Sequence, residues 1–297
     1  MLSYLHSFHA GNAADVLKHS VLIFCLEYLK KKEKPILCVD THAGAGFYDL
    51  TGKGIPLNRE WEKGLGRLFD ATDITPLLAS YVNLVSADSC YPAVPDSCIP
   101  VQYPGSPVIM AKILGKGDRL VCFELHPREA EALKNSMAEI RSNVKPAIEV
   151  HREDGPGGLK SLLPPPSRRG LILIDPSWEE KDEYESIPGS VELGLKRFPE
   201  GTFIIWYPLL AMPKSKSALS APVQDTLFNL SKGNRCRMEL SIRMQKDHAE
   251  TGNMYGCGLV IYNPPWTLRS VMEETLPCLV KVLGEKGASW RLDWEGA

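Results

Sequence analysis

The sequence predicts an α/β fold with a mainly parallel sheet, on three observations. Short apolar runs recur at ILCVD (36–40), RLVCFE (119–124), AIEVH (147–151), GLILID (170–175) and GTFIIWY (201–207). Segments of helical length separate most of them, such as Pro127 to Val144 and Tyr184 to Phe198. Strands that are apolar on both faces and alternate with helices belong to a parallel sheet covered on both sides. The third observation is bulk. With 297 residues, 44% hydrophobic and 24% charged at a net charge of -2, the chain can bury a substantial core and is not disordered over most of its length.

The first element is a helix. Asn12 with Asp15 three residues on resembles a capping box. Val16, Leu17, Val21, Phe24 and Tyr28 recur at helical spacing, and Lys30, Lys31, Lys32, Lys34 and Pro35 mark its end. The longest clean apolar run, Val21 to Leu26, falls far short of the ~20 residues a bilayer needs. The opening MLSYLHSFHAGN lacks a basic stretch followed by an apolar block, so no signal peptide is expected and the protein is placed in the cytoplasm. Residues 50–103 interrupt the strand–helix rhythm with excess Pro, Gly and Asp, and are expected to form a helical insertion after the first strand of a single domain, 1–297. Leu163 to Gly170 forms a stiff loop before a strand. RMELSIRM (237–244) and GCGLVIYN (256–263) have no helix between them and read as an antiparallel pair closing the sheet edge, for seven strands in all.

Eight cysteines are scattered with no CxxC or CxxH pair, so no zinc site is expected. Net charge does not announce a nucleic-acid binder, since 34 basic residues nearly balance 36 acidic ones; a polyanion would need a local patch. Basic clusters stand at Lys30–Lys32, Arg168–Arg169, Lys196–Arg197, Lys214 with Lys216, and Arg235 with Arg237.

The first strand ends in DTHAGAG (40–46), a glycine turn where open α/β sheets bind ligands. The dinucleotide pattern GxGxxG is not met, because Asp49 stands at the third glycine, which disfavours an NAD enzyme. The second strand ends in Glu124, able to accept from ribose hydroxyls, and the third in Asp154-Gly155, able to accept from an adenine amine. Singly, each acid reads as a cap or turn residue. Jointly they favour a nucleoside without a pyrophosphate, for which S-adenosylmethionine (SAM) is the natural candidate.

The fourth strand runs into Asp175-Pro176-Ser177-Trp178, which resembles the [D/N]-P-P-[Y/F/W] loop of amino-methyltransferases. An exocyclic adenine amine is a poor nucleophile because its lone pair is delocalised into the ring. A carboxylate and a nearby backbone carbonyl that accept both N–H bonds draw the nitrogen toward tetrahedral geometry, so positioning and electrostatics carry the chemistry without a metal. The aromatic residue stacks on the extruded base. Ser177 replaces the second proline. A rival loop, Asn263-Pro-Pro-Trp266, matches the motif more closely by letter but follows the seventh strand rather than the fourth, so Asp175 is preferred.

MLSYxHSFHAGNxADVLKH, DTHAGAG, YPGSP, ELHP, the Asp-Gly at 154–155, SRRGLILIDP, WYP and NPPW together resemble the RlmJ family of 23S rRNA adenine-N6 methyltransferases, over nearly the whole chain. The resemblance implies a class I SAM-dependent methyltransferase sheet, Rossmann-like, with a small helical insertion. It implies a monomer acting on naked or partly assembled 23S rRNA. Carried over by position, SAM would contact His19, His42, Ser106, Glu124, Asp154, Gly155 and Asp175, with Asp175 the catalytic carboxylate. Tyr4, His6 and Lys18, with Pro176, Ser177 and Trp178, would meet the RNA. The family pattern in the catalytic loop is D-P-P-Y, so DPSW puts turnover rate in question. The alternatives are a DNA adenine methyltransferase and a SAM- and RNA-binding protein weakened in catalysis by Ser177.

Overall fold

The computed structural model describes residues 9–50, 59–87, 101–140, 146–210, 223–244 and 254–296. Helix α1 (Ala13–Lys30) begins where its cap predicts: the Asn12 side chain accepts from the amides of Ala14 and Asp15. The reciprocal half of the box is shifted by one residue, since the Asp15 carboxylate accepts from Gly11 N at 2.8 Å rather than from the cap residue itself.

Five parallel strands form the centre of the sheet: β1 (Leu37–Asp40), β4 (Arg119–Phe123), β5 (Ala147–His151), β6 (Gly170–Ile174) and β7 (Thr202–Leu210). The antiparallel strands β8 (Arg235–Ser241), β9 (Met254–Tyr262) and β10 (Ser289–Glu295) extend it to the order β10-β8-β9-β7-β6-β1-β4-β5. The sheet therefore has eight strands, one more than expected. Strands β8 and β9 pair antiparallel as anticipated, but β9 inserts beside β7, and β10 closes the edge. This last strand escapes a search for continuous apolar runs because it alternates: Trp290, Leu292 and Trp294 lie between Arg291, Asp293 and Glu295, the pattern of a strand wet on one face. Its register places Asp293 opposite Arg237 and Glu295 opposite Arg235, and both pairs form ion pairs.

Helices α5 (Ser106–Ile113), α6 (Pro127–Glu139), α7 (Gly155–Leu162), α8 (Glu183–Arg197) and α9 (Leu268–Leu283) complete the layers. One core joins α1, α5 and α9 to one face of the sheet; a second packs α7 and α8 on the other. After β1 the chain enters β2 (Phe47–Asp49) and returns through β3 (Gln102–Pro104), its antiparallel partner. Between them lie α2 (Glu60–Lys63), α3 (Leu65–Phe69) and α4 (Pro76–Ser86), packed over α1 and α9. Residues 51–58 and 88–100 of this segment lie outside the described residues. Among the described residues, no helix is long and apolar enough to cross a membrane, and no group of three His, Cys, Asp or Glu is placed to hold a metal ion.

The chain runs from β1 outward to β5 and then returns to β6 on the other side of β1. That reversal leaves a crevice at the carboxyl ends of the strands, the place where open α/β sheets bind ligands.

Candidate functional site

A cavity of about 1020 Å³ opens there. It gathers residues that the sequence scatters over more than 270 positions, from His9 to Glu285.

The acids ending successive strands do converge on it. Glu124 follows β4, and its carboxylate accepts from Gly44 N at 2.8 Å and His126 N at 2.7 Å, which fixes the side chain across the glycine turn. Asp154 caps α7 by accepting from Gly157 N at 2.8 Å, so the ordinary helix-cap role and a place on the cavity wall coexist in one residue. Two glycines let this wall pack closely on itself. Gly44 has φ +62°, and a Cβ there would lie 2.0 Å from the Tyr48 hydroxyl; a Cβ on Gly155 would lie 2.1 Å from the Thr41 carbonyl oxygen. His42 lines the cavity beside them, its Nδ1 2.8 Å from the Thr41 hydroxyl, and burial pushes its imidazole down to about 4. Beneath the turn, burial raises the carboxyl of Asp40 to about 7, against a hydrogen bond from Ser106 that favours the ionised form. Ser106, at the start of α5, is buried and also lines the cavity.

Asp175 stands at the tip of β6, its side chain 13% exposed, and Lys18 Nζ lies 2.5 Å from its Oδ2. The same ammonium is 2.9 Å from Asp15 Oδ1. Burial penalises the charge on Lys18, yet the two carboxylates outweigh it and hold the ammonium protonated well above the usual lysine range. Lys18 is thus no surface group: it is 3% exposed and bridges α1 to the loop after β6. His19, its neighbour, is buried against Tyr103, with Nδ1 2.6 Å from the phenol oxygen, and Tyr103 is in turn 3.1 Å from the hydroxyl of Tyr81.

In the loop after Asp175, Ser177 is half-buried, with its Oγ 3.4 Å from both carboxylate oxygens of Glu183. Trp178 is buried in the second core. Its φ is +57°, its indole N–H donates to the Trp206 carbonyl at 3.0 Å, and its ring lies 5.2 Å from that of Tyr184 at a 59° tilt. The rival loop is at the other end of the molecule. Strand β9 runs antiparallel to β7, so Asn263 emerges beside Thr202 at the amino end of β7. There it has φ +51°, and its amide donates to the carbonyls of Pro199 and Gly201 at 2.7 Å each. Tyr4 and His6 lie outside the described residues.

Other lining residues had no assigned place at the site, although Trp206 and Pro208 fall in WYP and His9 and Asn12 in the opening motif. Trp206, Pro208 and Leu210 from β7, with Cys257 and Met254 from β9, give the cavity an apolar wall adjoining Asp175. His9 and Asn12 both meet Glu60 of α2 at 3.0 Å, tying the start of α1 to the inserted helices. The Asp15–Lys18 spacing of three on a helix was a legible hint of an ion pair; the apolar wall is assembled by strand pairing, which the WYP motif alone does not reveal.

A sequence profile described as "Ribosomal RNA large subunit methyltransferase D, RlmJ" matches residues 33–296. The chain belongs to this family. It is 39% identical to the ribosomal RNA large subunit methyltransferase J of Haemophilus influenzae, covering 99% of each chain. It is 36% identical to the protein of the same name from Escherichia coli, over 98% of this chain and 99% of that one. A crystal structure of a Legionella pneumophila protein superposes with a TM-score of 0.81 at 31% identity, covering 97% of this chain and 98% of that one. The family membership carries with it the α/β fold of a class I methyltransferase and SAM as the cofactor.

Proposed function

We propose that the protein methylates N6 of a specific adenine in 23S rRNA, using SAM, as a cytoplasmic monomer acting on naked or partly assembled RNA. One observation carries the choice of chemistry: among the described residues, the only Asp-Pro loop at the cavity begins with a carboxylate already fixed by a buried ammonium. Its rival, Asn263, faces away from the cavity and is consumed by backbone hydrogen bonds.

The cavity wall at β1, β4 and α7 suits a nucleoside. Glu124 keeps lone pairs for ribose hydroxyls while it accepts two amides. Asp154 is placed to accept from an adenine amine, His42 and Ser106 flank the turn, and Gly155 lets the backbone approach closely. His19 also lines the cavity, held in place by the Tyr103 hydroxyl. When bound, SAM supplies an electrophilic methyl group on a sulfonium centre. Asp175 would help hold SAM and would accept from the target amine. Lys18 engages Oδ2, leaving Oδ1 to accept one N–H of the adenine, while the Pro176 carbonyl accepts the second. A fixed carboxylate stabilises the positive charge that grows on the nitrogen, and it needs no reorganisation at that moment. Trp178 braces Trp206 from behind, and Trp206 carries aromatic surface on the cavity wall for the base. Tyr4, His6 and Ser177 complete the RNA contacts in this reading, and residues 50–103 act as an insertion on a single domain.

The test is methyl transfer from labelled SAM to deproteinised 23S rRNA and to duplex DNA, with the product nucleoside identified by mass. N6-methyladenosine in the rRNA is expected. Preference for the duplex would make this a DNA enzyme, and SAM binding by calorimetry without transfer would make it a binding module.

A further inference from the structure

The attraction for a polyanion does not come from the cavity. Eleven Asp and Glu side chains line it against four Lys and Arg, and the whole chain carries a net charge of -2. Nucleic-acid affinity rests largely on cations set against phosphates, so those cations must lie elsewhere. Most of the basic clusters are spent. Arg235 and Arg237 pair with Glu295, Asp293 and Asp225 at the sheet edge. Lys196 pairs with Glu192 at 2.7 Å, and Arg197 donates to the Leu163 carbonyl at 2.9 Å. Lys214 and Lys216 lie outside the described residues.

The Lys30–Lys32 and Arg168–Arg169 clusters, distant in sequence, meet at the amino ends of the parallel strands, where the arginines are engaged and brace the lysines. Arg169 donates to the carbonyls of Leu29 at 2.5 Å and Lys34 at 2.7 Å, which clasps the end of α1 to the loop before β6. Asp118 locks the neighbouring turn: it accepts from Ile36 N at 3.0 Å, Gly115 N at 2.9 Å and the Lys30 ammonium at 2.5 Å. On this braced rim Lys31, Lys32, Lys34 and Lys116 are exposed, and among the described residues none of the four forms an ion pair. Glu33 is the one acid within 30–35, and Arg168 is already neutralised by Glu200 at 2.7 Å.

We infer that this rim is a second RNA-backbone contact, in which Lys31, Lys32, Lys34 and Lys116 anchor the rRNA at the end of the sheet opposite the cavity. It rests on rRNA being the substrate. Lys18 and Lys31 are separated by roughly 20 Å along α1 at the helical rise, so only an RNA extending well beyond the target nucleotide reaches both. An acidic cavity that repels backbone but admits one base, with a remote cationic anchor, favours a large folded RNA over a short strand.

The experiment compares the wild type with the triple variant Lys31→Gln, Lys32→Gln, Lys34→Gln on unmethylated full-length 23S rRNA and on a short unmethylated fragment bearing the target adenine. On the long RNA we expect KM to rise about tenfold near physiological salt, and the slope of log affinity against log salt to fall by about two to three. Turnover at saturation and both constants on the short fragment stay unchanged, and the corresponding triple Arg variant behaves as wild type. An unchanged KM and salt slope on the long RNA overturns the inference, as does an equal loss on both RNAs. A wild type that methylates neither RNA instead defeats the functional reading beneath it.

Discussion

Lys18 and Asp175 form an ion pair at 2.5 Å between side chains that are 4% and 13% exposed, joining the first turns of the first helix to the tip of the fourth parallel strand. The ammonium also serves Asp15 at 2.9 Å. Two carboxylates around one cation leave this cluster carrying net negative charge where a nucleobase amine and a sulfonium would meet.

Replacing Asp175 by Ala removes the acceptor for the amine while Lys18 keeps Asp15. The fold should persist, and methyl transfer should fall by about 10²–10³-fold or more, the range for losing one preorganised electrostatic contact. Single-turnover rates with circular dichroism check both halves. A near-normal rate would place the chemistry in another loop.

Lys18→Met should be the more damaging change to stability. It strands Asp15 and Asp175 together without a cation, and breaking a buried pair from one side costs about 3–5 kcal/mol. Urea unfolding measures it, and Lys18→Arg should recover most of the loss. Because the folded-state value of Lys18 lies above that of the unfolded chain, the pair's contribution is complete below the ordinary lysine range and disappears only as pH rises beyond it. Wild-type stability should therefore show no loss from this pair between pH 7 and 9.

Asp40 and His42 give opposite pH slopes. Asp40, raised to about 7 by burial, stabilises the fold fully below the ordinary carboxyl range and loses that contribution as pH rises toward 7. His42, lowered to about 4, stabilises above the ordinary imidazole range and loses its contribution as pH falls toward 4. The two oppose each other through the mildly acidic range. Asp40→Asn should leave stability rising with pH from about 4 to 6.5, and His42→Asn should leave it falling up to about 7. Thermal unfolding across pH 4–8 distinguishes them.

Ser177→Pro should keep or raise the rate. The Ser177 hydroxyl lies 3.4 Å from each Glu183 oxygen, too long to hold the loop strongly, and among the described residues its backbone N–H donates no hydrogen bond that proline would forfeit. Steady-state turnover on 23S rRNA decides; a severe loss would show that the loop has adapted around serine.

Trp178→Ala should destabilise by about 3–5 kcal/mol through the cavity it leaves. Trp178→Phe should cost only about 1–2 kcal/mol, for the lost bond to the Trp206 carbonyl. Equilibrium unfolding of both separates a bracing role from a stacking one, since a residue that only stacked on RNA would change KM and not stability.

Composition and periodicity alone determined the α/β class, five central strands, the cap at Asn12 and the acids at the strand tips. These are properties of neighbours along the chain, where apolar continuity and turn chemistry are written directly. The edge strand β10 was missed because a strand with one wet face alternates as any polar segment can. Strand order along the sequence already favoured Asp175 over Asn263; only the tertiary structure supplied the reason, since the antiparallel pairing of β9 with β7 carries Asn263 to the opposite end of the sheet. The tertiary structure also placed Lys18 as a buried cation and Trp178 as a donor to the Trp206 carbonyl on the cavity wall, and it joined the end of α1 to Arg169's loop. Burial and long-range pairing belong to residues far apart in sequence, and no local pattern encodes them.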